Sequence, residues 1–406
     1  MEGEALYQFR QTTLLLLIGD LYGLNNFKKI LSSVGITSRN CYKVWGRFSY
    51  KQLYSYITNY LVLQFKESFE ELCKKSDSSW SRAEVTLIID ESIFKTWLHR
   101  RSDDDLFTAY FGKYFSGQTH KSEYGFRYSL SGISIGDKFY PLYFSPIQKG
   151  EKNVIEAAKT INKMEKLVRE CAEKQGFSIP NIALSVDGGY NNIDLIELCR
   201  SLQTPINFIC VPKKNHIVKI GNFQGSLTKY IEEHFLAKEA ANSSQKSFTI
   251  RVKGYYNCKK NEVIFLFFRL NGSKNVSVIY STNLSIKAKT LRRRWFHRTK
   301  IEAFFRIIKH TLKVQQSTAD HSAAFFKKVG LFIIKAVFII RFQNYCRRNF
   351  KEFKDVTFWQ LRQNIIYQNC DLYPIFDQLE RCRFCNQSTI QKAKNQYFMR
   401  LRYSPN

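Results

Sequence analysis

Hydrophobic residues recur along this chain at two different spacings. Residues 1–80 favour helix, and Ser49–Leu72 places apolar and aromatic side chains every three or four positions, as an amphipathic helix does. From Val85 onwards, short apolar runs rich in β-branched residues indicate buried strands instead. The predicted strands are Val85–Asp90, Phe126–Ile135, Lys138–Phe144, Asn181–Val186 and Ile206–Val211. Helices are predicted over Asn153–Gln175 and Ile193–Leu202.

The order of these elements predicts an α/β fold. Two strands flank the turn signal Gly136-Asp137 as a hairpin, and later strands are joined through helices, which together give a mixed sheet flanked by helices. Residues 213–284 interrupt the alternation and indicate a β-rich insertion, with strand-like runs at Ser247–Tyr256, Glu262–Leu270 and Val276–Ser281. Residues 285–346 are predicted to be helical again, and 347–406 to form a helical, basic C-terminal region.

The charge of the chain narrows the choice of partner. Its 406 residues include 63 Lys and Arg against 34 Asp and Glu, which gives a formal net charge of +29. An excess of that size indicates a polyanionic partner, nucleic acid before an anionic membrane. A hydrophobic fraction of 44% excludes wholesale disorder. The apolar runs are too short for a membrane-spanning helix, and the N-terminus lacks the pattern of a secretory signal, so we expect an intracellular protein without membrane segments.

The ten cysteines do not form a recognisable framework. Their irregular spacing in a chain of this length indicates reduced thiols rather than disulfides. Cys382 and Cys385 form a lone C-x-x-C pair with Cys370 nearby. A zinc site needs four ligands, or three and a water, so ordinary cysteines are favoured here and the role of these three stays open.

Two aspartates directly follow predicted buried strands. Asp90 ends the first core strand and Asp187 ends a later one, and strand ends are where α/β sheets form their ligand sites. The alternative is a capping or turn role, which the two glycines after Asp187 favour. A third acidic run, Asp103–Asp105, follows two arginines in a predicted loop and is expected to be solvated. His297 and His310 are expected to pack or to contact phosphate, and no serine shows the pattern of a hydrolase.

The segment Leu291–Lys313 adds a third acid. On a continuous helix, Trp295, Arg298, Glu302 and Lys309 lie within about 60° of one another, beside an apolar arc that faces the sheet. Glu302 is the only acid among eight Lys and Arg residues between Arg292 and Lys313. It is either an ordinary ion-pair partner or a third metal ligand. Three carboxylates would hold two Mg²⁺ about 3.5–4 Å apart for in-line phosphoryl transfer.

These residues resemble those of a known family, the DDE transposases of bacterial insertion sequences with a Tyr-Arg-Glu-Lys signature. Arg298, Glu302 and Lys309 match that signature in type and spacing, while Trp295 stands at the tyrosine position. The resemblance covers about residues 83–345 and implies a ribonuclease H-like catalytic domain over 83–212 and 285–346. The β-rich insertion subdomain would be 213–284. No motif of the resemblance covers the two ends of the chain, where we expect a helical, DNA-binding N-terminal region over 1–82 and a helical, basic C-terminal region over 347–406.

The resemblance also implies an activity. The chain would cut and join transposon ends with two Mg²⁺, which Mn²⁺ could replace, held by the catalytic residues Asp90, Asp187 and Glu302. Trp295, Arg298 and Lys309 would contact DNA. The partners would be double-stranded terminal repeats and target DNA, bound by a homodimer in the cytoplasm at the bacterial nucleoid. Two alternatives stay open: a catalytically inactive DNA-binding descendant, and a nuclease that cuts without joining.

Overall fold

The computed structural model describes residues 49–75, 84–98, 104–116, 121–136, 138–213, 215–236, 247–256, 261–270, 275–312, 314–316 and 318–349. The chain forms two compact units. Of the described residues, those within 56–309 and 315–318 form the larger unit, and those within 49–55, 310–314 and 319–349 belong to the smaller.

Thirteen strands and eight α-helices are present in the described residues. The strands are β1 (Glu84–Phe94), β2 (Trp97–Leu98), β3 (Phe111–Ser116), β4 (Lys121–Ile135), β5 (Lys138–Pro146), β6 (Asn181–Val186), β7 (Asn207–Cys210), β8 (Ile217–Ile220), β9 (Phe223–Ser226), β10 (Phe248–Tyr256), β11 (Asn261–Arg269), β12 (Ser277–Ser281) and β13 (Thr318–Ala319). The helices are α1 (Tyr50–Lys75), α2 (Asp105–Tyr110), α3 (Asn153–Lys174), α4 (Ile193–Ser201), α5 (Leu227–Ile231), α6 (Ala288–Phe296), α7 (Thr299–Arg306) and α8 (Ser322–Asn349).

The centre of the larger unit is a mixed sheet with the strand order β5-β4-β1-β6-β7. β4 is antiparallel to β1 and β5, whereas β6 and β7 run parallel to β1 and to each other. The turn between β4 and β5 begins at Gly136, whose φ of 55° lies in the left-handed region that glycine tolerates. This order and direction of strands is that of a ribonuclease H-like sheet, so the predicted fold class is confirmed.

The strands of the 213–284 segment continue this sheet. β12 pairs antiparallel with β7, and β11, β10, β8 and β9 follow in that order. The three strand-like runs predicted there correspond to β10, β11 and β12, whereas the short strands β8 and β9 were not predicted. Because hydrogen bonds run unbroken from β1 to β9, the core and the segment share one sheet.

Helices cover the central strands. α3 contacts β1 and β4, α6 contacts β6 and β7, and α7 contacts β1, β4 and β5. α7 buries Ile301, Phe304 and Phe305, which belong to the apolar arc predicted to face the sheet. This packing carries Glu302, one position after Ile301, to the edge of the buried face.

The prediction of one continuous helix over Leu291–Lys313 is wrong. α6 ends at Phe296, α7 begins at Thr299, and a π-helical turn follows over Ile307–Thr311. At the junction the Arg298 N–H donates to the Trp295 carbonyl, a three-residue bond that tightens the turn. The buried His297 ring lies at this point, with Nδ1 3.2 Å from Thr86 Oγ1 on β1. The helical period is therefore interrupted at the point where His297 packs on the sheet.

In the smaller unit, the first turns of α1 pack on α8. The Tyr54 hydroxyl donates to the Phe326 carbonyl at 2.7 Å, and the rings of Tyr50 and Phe326 meet edge to face. None of the helices in the described ranges is both long enough and apolar enough to cross a bilayer. The predictions for 1–48 and 350–406, including those for Cys370, Cys382 and Cys385, fall outside the described residues.

Candidate active site

The parallel pairing of β1 and β6 brings two aspartates together. Ile88 pairs with Ser185 as the last register partner, and β6 ends one residue later at Val186. Extending that register by two positions places Asp187 level with Asp90, and register partners in a sheet point to the same face. Both aspartates line one cleft in the larger unit.

The turn after β6 fixes the carboxylate of Asp187. Its Oδ1 accepts the Gly189 N–H at 2.8 Å and caps a short 3₁₀ turn over Gly188–Tyr190. A Cβ at position 189 would lie 3.0 Å from that oxygen, so glycine leaves the carboxylate its space. The turn chemistry expected from the sequence is present, and the turn still presents Asp187 to the cleft.

Arg298 lies between the other two acids. Its guanidinium is 3.6 Å from Asp90 Oδ2 and 2.5 Å from Glu302 Oε1. The contact with Glu302 spans one turn of helix, while the contact with Asp90 ties the helix to the strand. Asp90 Oδ1 also accepts the Glu91 N–H at 2.8 Å. Glu302 is thus both an ion-pair partner, as one of the two sequence interpretations held, and a lining residue of the cleft.

Burial sets the ionisation of Asp90. It raises the pKa of this carboxyl from 3.8 to about 7, because the charged form loses hydration. Arg298 opposes that rise, whereas the negative charges of Asp187 and Glu302 add to it. Asp90 therefore lies within electrostatic reach of both Asp187 and Glu302, although 212 positions separate Asp90 from Glu302.

Sequence reasoning missed a second acidic group in the cleft. Glu91 accepts the Tyr190 hydroxyl at 3.0 Å and lies 3.7 Å from Arg127. Burial raises the pKa of Glu91, while Arg127 and the Asn153 side chain favour its charged form. As the neighbour of Asp90 on a strand, Glu91 points to the opposite face of the sheet. The available signal was the Asp-Glu pair itself, together with the tyrosine three positions after Asp187.

The cleft has a volume of about 560 Å³. The acidic and basic side chains that line it come from both faces of the sheet edge. They include Asp90, Glu91, Arg127, Asp187, Arg298, Glu302 and Lys309. Burial lowers the pKa of Lys309, whose Nζ lies 5.9 Å from the centre of the Phe94 ring. The structure therefore brings five of the six residues singled out from the sequence to one cleft.

Trp295 is the sixth, and it lies beside the cleft. Its ring packs against the hydrophobic cluster that includes Ile209, Ile279 and Leu291. The Arg298 guanidinium stacks over the same ring, 5.1 Å from its centre. Trp295 therefore supports the arginine that joins Asp90 to Glu302, whereas a contact of its own with DNA stays a prediction.

For the DNA cleavage that the sequence resemblance implies, we expect Trp295→Ala to lower the rate by about two- to 30-fold, because a cation–π contact contributes about 0.5–2 kcal/mol and holds Arg298 over the acids. Trp295→Tyr should retain most activity, since a tyrosine ring also carries a cation. Initial cleavage rates of the two variants at equal folded concentration test this. Equal rates for Trp295→Ala and the unmodified protein would contradict the support role.

A hydrogen-bond network ties the 213–284 segment to the turn that carries Asp187. Asn191 donates to the Tyr256 hydroxyl at 2.6 Å and accepts from the Tyr280 hydroxyl at 2.9 Å. His216 Nδ1 lies 2.5 Å from the same Tyr256 hydroxyl. Strands β10 and β12 thereby hold the residue that follows Tyr190, so the added strands support the site.

The donor types of the three acids fit a divalent cation, but their spacing does not form a ligand cluster. Carboxylate oxygens are the ligands that Mg²⁺ prefers, and the mutual repulsion at Asp90 is what a bound cation would relieve. In this structure the Arg298 guanidinium supplies that positive charge. Among the described residues, no three His, Cys, Asp or Glu side chains are grouped closely enough to hold a metal ion.

Two further candidates have structural roles. Asp104 accepts the Phe107 N–H at 3.1 Å and caps α2, Asp105 is exposed as expected, and Asp103 lies outside the described residues. Burial and the nearby Lys300 lower the pKa of His297 to about 4, which leaves a neutral ring packed at the helix junction.

The chain matches no protein-family profile and no curated protein sequence. Among solved structures it is similar to the piggyBac transposase in a synaptic complex with hairpin DNA, at 12% identity and a TM-score of 0.36, over 70% of this chain and 52% of that one. It is also similar to Ciona intestinalis endonuclease V with an inosine-containing 23mer DNA, at 14% identity and a TM-score of 0.26, over 57% of this chain and 86% of that one. It is similar as well to the Mos1 strand transfer complex, at 12% identity and a TM-score of 0.19, over 57% of this chain and 64% of that one. The chain thus spans about half the length of the piggyBac chain, and superpositions this partial assign it no function.

Proposed function

We propose that this chain is a DNA transposase that cuts and joins DNA by metal-dependent phosphoryl transfer in the cleft. The observation that supports this most is the convergence of Asp90, Asp187 and Glu302, from two adjacent parallel strands and one helix, on a single cleft. The net charge of +29 supports a polyanionic substrate. A homodimer that holds two terminal repeats belongs to the same proposal.

Each residue has a role in this proposal. Asp90, Asp187 and Glu302 would hold two Mg²⁺ or Mn²⁺, which would activate the attacking water or 3′-hydroxyl and stabilise the leaving oxygen. Arg298 pairs with Asp90 and Glu302 in the metal-free chain, and with cations held by those acids its guanidinium would be available to a phosphate. Lys309 holds the DNA backbone at the far side of Glu302. Asn191 keeps the turn of Asp187 in place.

One observation favours the alternative of a catalytically inactive DNA-binding descendant. Arg298 bridges two of the three acids, and the described residues contain no ready three-ligand group.

The test is incubation of the full chain with labelled inverted-repeat DNA from the ends of its own coding element, in Mg²⁺, Mn²⁺ or EDTA. Metal-dependent nicks followed by joined products support the transposase, nicks without joining support a nuclease, and binding without nicks supports the inactive descendant.

The salt dependence of DNA binding should separate Lys309 from Arg298. If both contact phosphate, replacing either with Ala flattens the plot of log affinity against log salt by about one unit. Because Arg298 is paired with two acids in the metal-free protein, we expect that change only for Lys309→Ala in EDTA. Lys166→Ala, on the exposed side of α3, is the matched control. An unchanged slope in Lys309→Ala would contradict its assignment.

A further inference from the structure

The β3–β4 hairpin carries exposed aromatic side chains at the rim of the cleft. Phe115 on β3 is 68% exposed and Tyr124 on β4 is 60% exposed, and Phe115 lines the cleft. Single exposed apolar side chains are ordinary on a protein surface, whereas two aromatic rings grouped on one hairpin mark a candidate surface for a partner.

The two rings share one face of the hairpin. Lys113 pairs with Tyr124 and Phe115 pairs with Ser122, and cross-strand partners point to the same side. Tyr124 stacks on Phe111, with planes 17° apart, and Phe111 stacks on Phe107 at 4.4 Å. The inner rings therefore hold the Tyr124 ring in a fixed orientation, which lowers the entropy cost of binding a flat ligand on it.

Cations are interleaved with these rings. Lys113 Nζ lies 5.9 Å from the centre of the Tyr124 ring, and Lys113 and Lys121 are exposed on the same hairpin. Lys95 on the neighbouring segment is half exposed but forms an ion pair with Glu123 at 3.1 Å. Exposed aromatic faces alternating with lysines suit a nucleic-acid strand whose bases are unpaired, because bases stack on the rings while the phosphates meet the ammonium groups.

We propose that Phe115 and Tyr124 stack on unpaired bases of the DNA strand that passes the cleft. The preferred substrate would then be DNA with a single-stranded stretch next to the reacting phosphate. This inference rests on the proposed function for the placement of the strand, but base stacking itself requires no metal and no chemistry.

The experiment compares two DNAs that share one duplex. One is blunt, and the other carries a 3′ single-stranded extension with 2-aminopurine, whose fluorescence falls on stacking. Binding of the full chain is measured in EDTA. We expect Phe115→Ala and Tyr124→Ala each to weaken binding of the extended DNA by about five- to 30-fold, to change blunt-duplex binding less than twofold, and to restore the fluorescence.

Phe115→Leu, which keeps apolar bulk without a π face, should behave like the alanine variant, and Phe115→Tyr like the unmodified protein. Phe296→Ala removes an exposed ring on α6 and is the matched control.

Several results would overturn the proposal. These are equal losses for blunt and extended DNA, no loss for either, full binding by Phe115→Leu, or conversion of a dimer to a monomer by Phe115→Ala on size-exclusion chromatography. Because the assay reads binding without cleavage, an inactive chain would still show the preference for extended DNA. Conversely, metal-dependent joining without that preference would overturn this inference and leave the proposed function intact.

Discussion

Glu302→Gln should abolish metal-dependent DNA cleavage while leaving DNA binding nearly unchanged. The substitution keeps the size and polarity of the side chain but removes the charge that a cation would require. Metal-ion catalysis contributes several kcal/mol to the barrier, so we expect a loss of at least about 1,000-fold in cleavage rate. Single-turnover cleavage of end DNA in Mg²⁺ measures the loss, and the Kd for the same DNA in EDTA should stay within about threefold.

Glu197→Gln on α4 is the matched control, because it makes the same chemical change at an exposed position away from the cleft. Asp90→Asn and Asp187→Asn should show the same loss as Glu302→Gln, and the double variants should lose little more, since residues that act as one unit are not additive. Retention of more than a tenth of the activity by any of the three would remove that residue from the site.

The two aspartates could be located from the sequence because an apolar run of β-branched residues precedes each of them. The prediction that the first strand ends at Asp90 is wrong, because β1 continues to Phe94 in its pairing with β4, whereas β6 does end at Val186, directly before Asp187. The order of strands and helices along the chain then predicts which strands are adjacent in the sheet, and β6 does pair in parallel with β1. The convergence of the two acids is thus a consequence of topology rather than of any local feature.

The helix junction could not be predicted from local sequence. Every residue between Leu291 and Ile308 is compatible with helix, and at the interruption the buried His297 contacts Thr86, 211 positions earlier. The same holds for Glu91, whose environment comes from Arg127 and Tyr190 on other elements. Periodicity assigns a face to a side chain, but it does not report which distant residue occupies the facing space.

Asp90→Asn should stabilise the metal-free protein at pH 8 and have little effect at pH 4. The folded pKa of about 7 lies above the unfolded value of 3.8, so between these values the unfolded chain binds fewer protons than the folded one. Stability therefore falls as pH rises from about 4 to 7, by an upper bound on the order of 4 kcal/mol. Asparagine keeps the shape of the side chain but cannot ionise, so the variant should not lose stability in this way as the pH rises. Urea unfolding in EDTA at both pH values measures it, with the exposed Asp194→Asn as the control.

Adding Mg²⁺ turns the same variant into a test of the cofactor proposal. A cation held by the acids neutralises the charge that destabilises the folded protein above pH 7, so Mg²⁺ should raise the melting temperature of the unmodified chain at pH 8. Protons compete for Asp90 at pH 5.5, so the shift there should be smaller. In Asp90→Asn the shift should nearly vanish at both pH values, because one ligand is gone and the repulsion with it. An equal shift in both proteins would place the bound Mg²⁺ elsewhere on the chain, and the assignment of Asp90 as a ligand would be wrong.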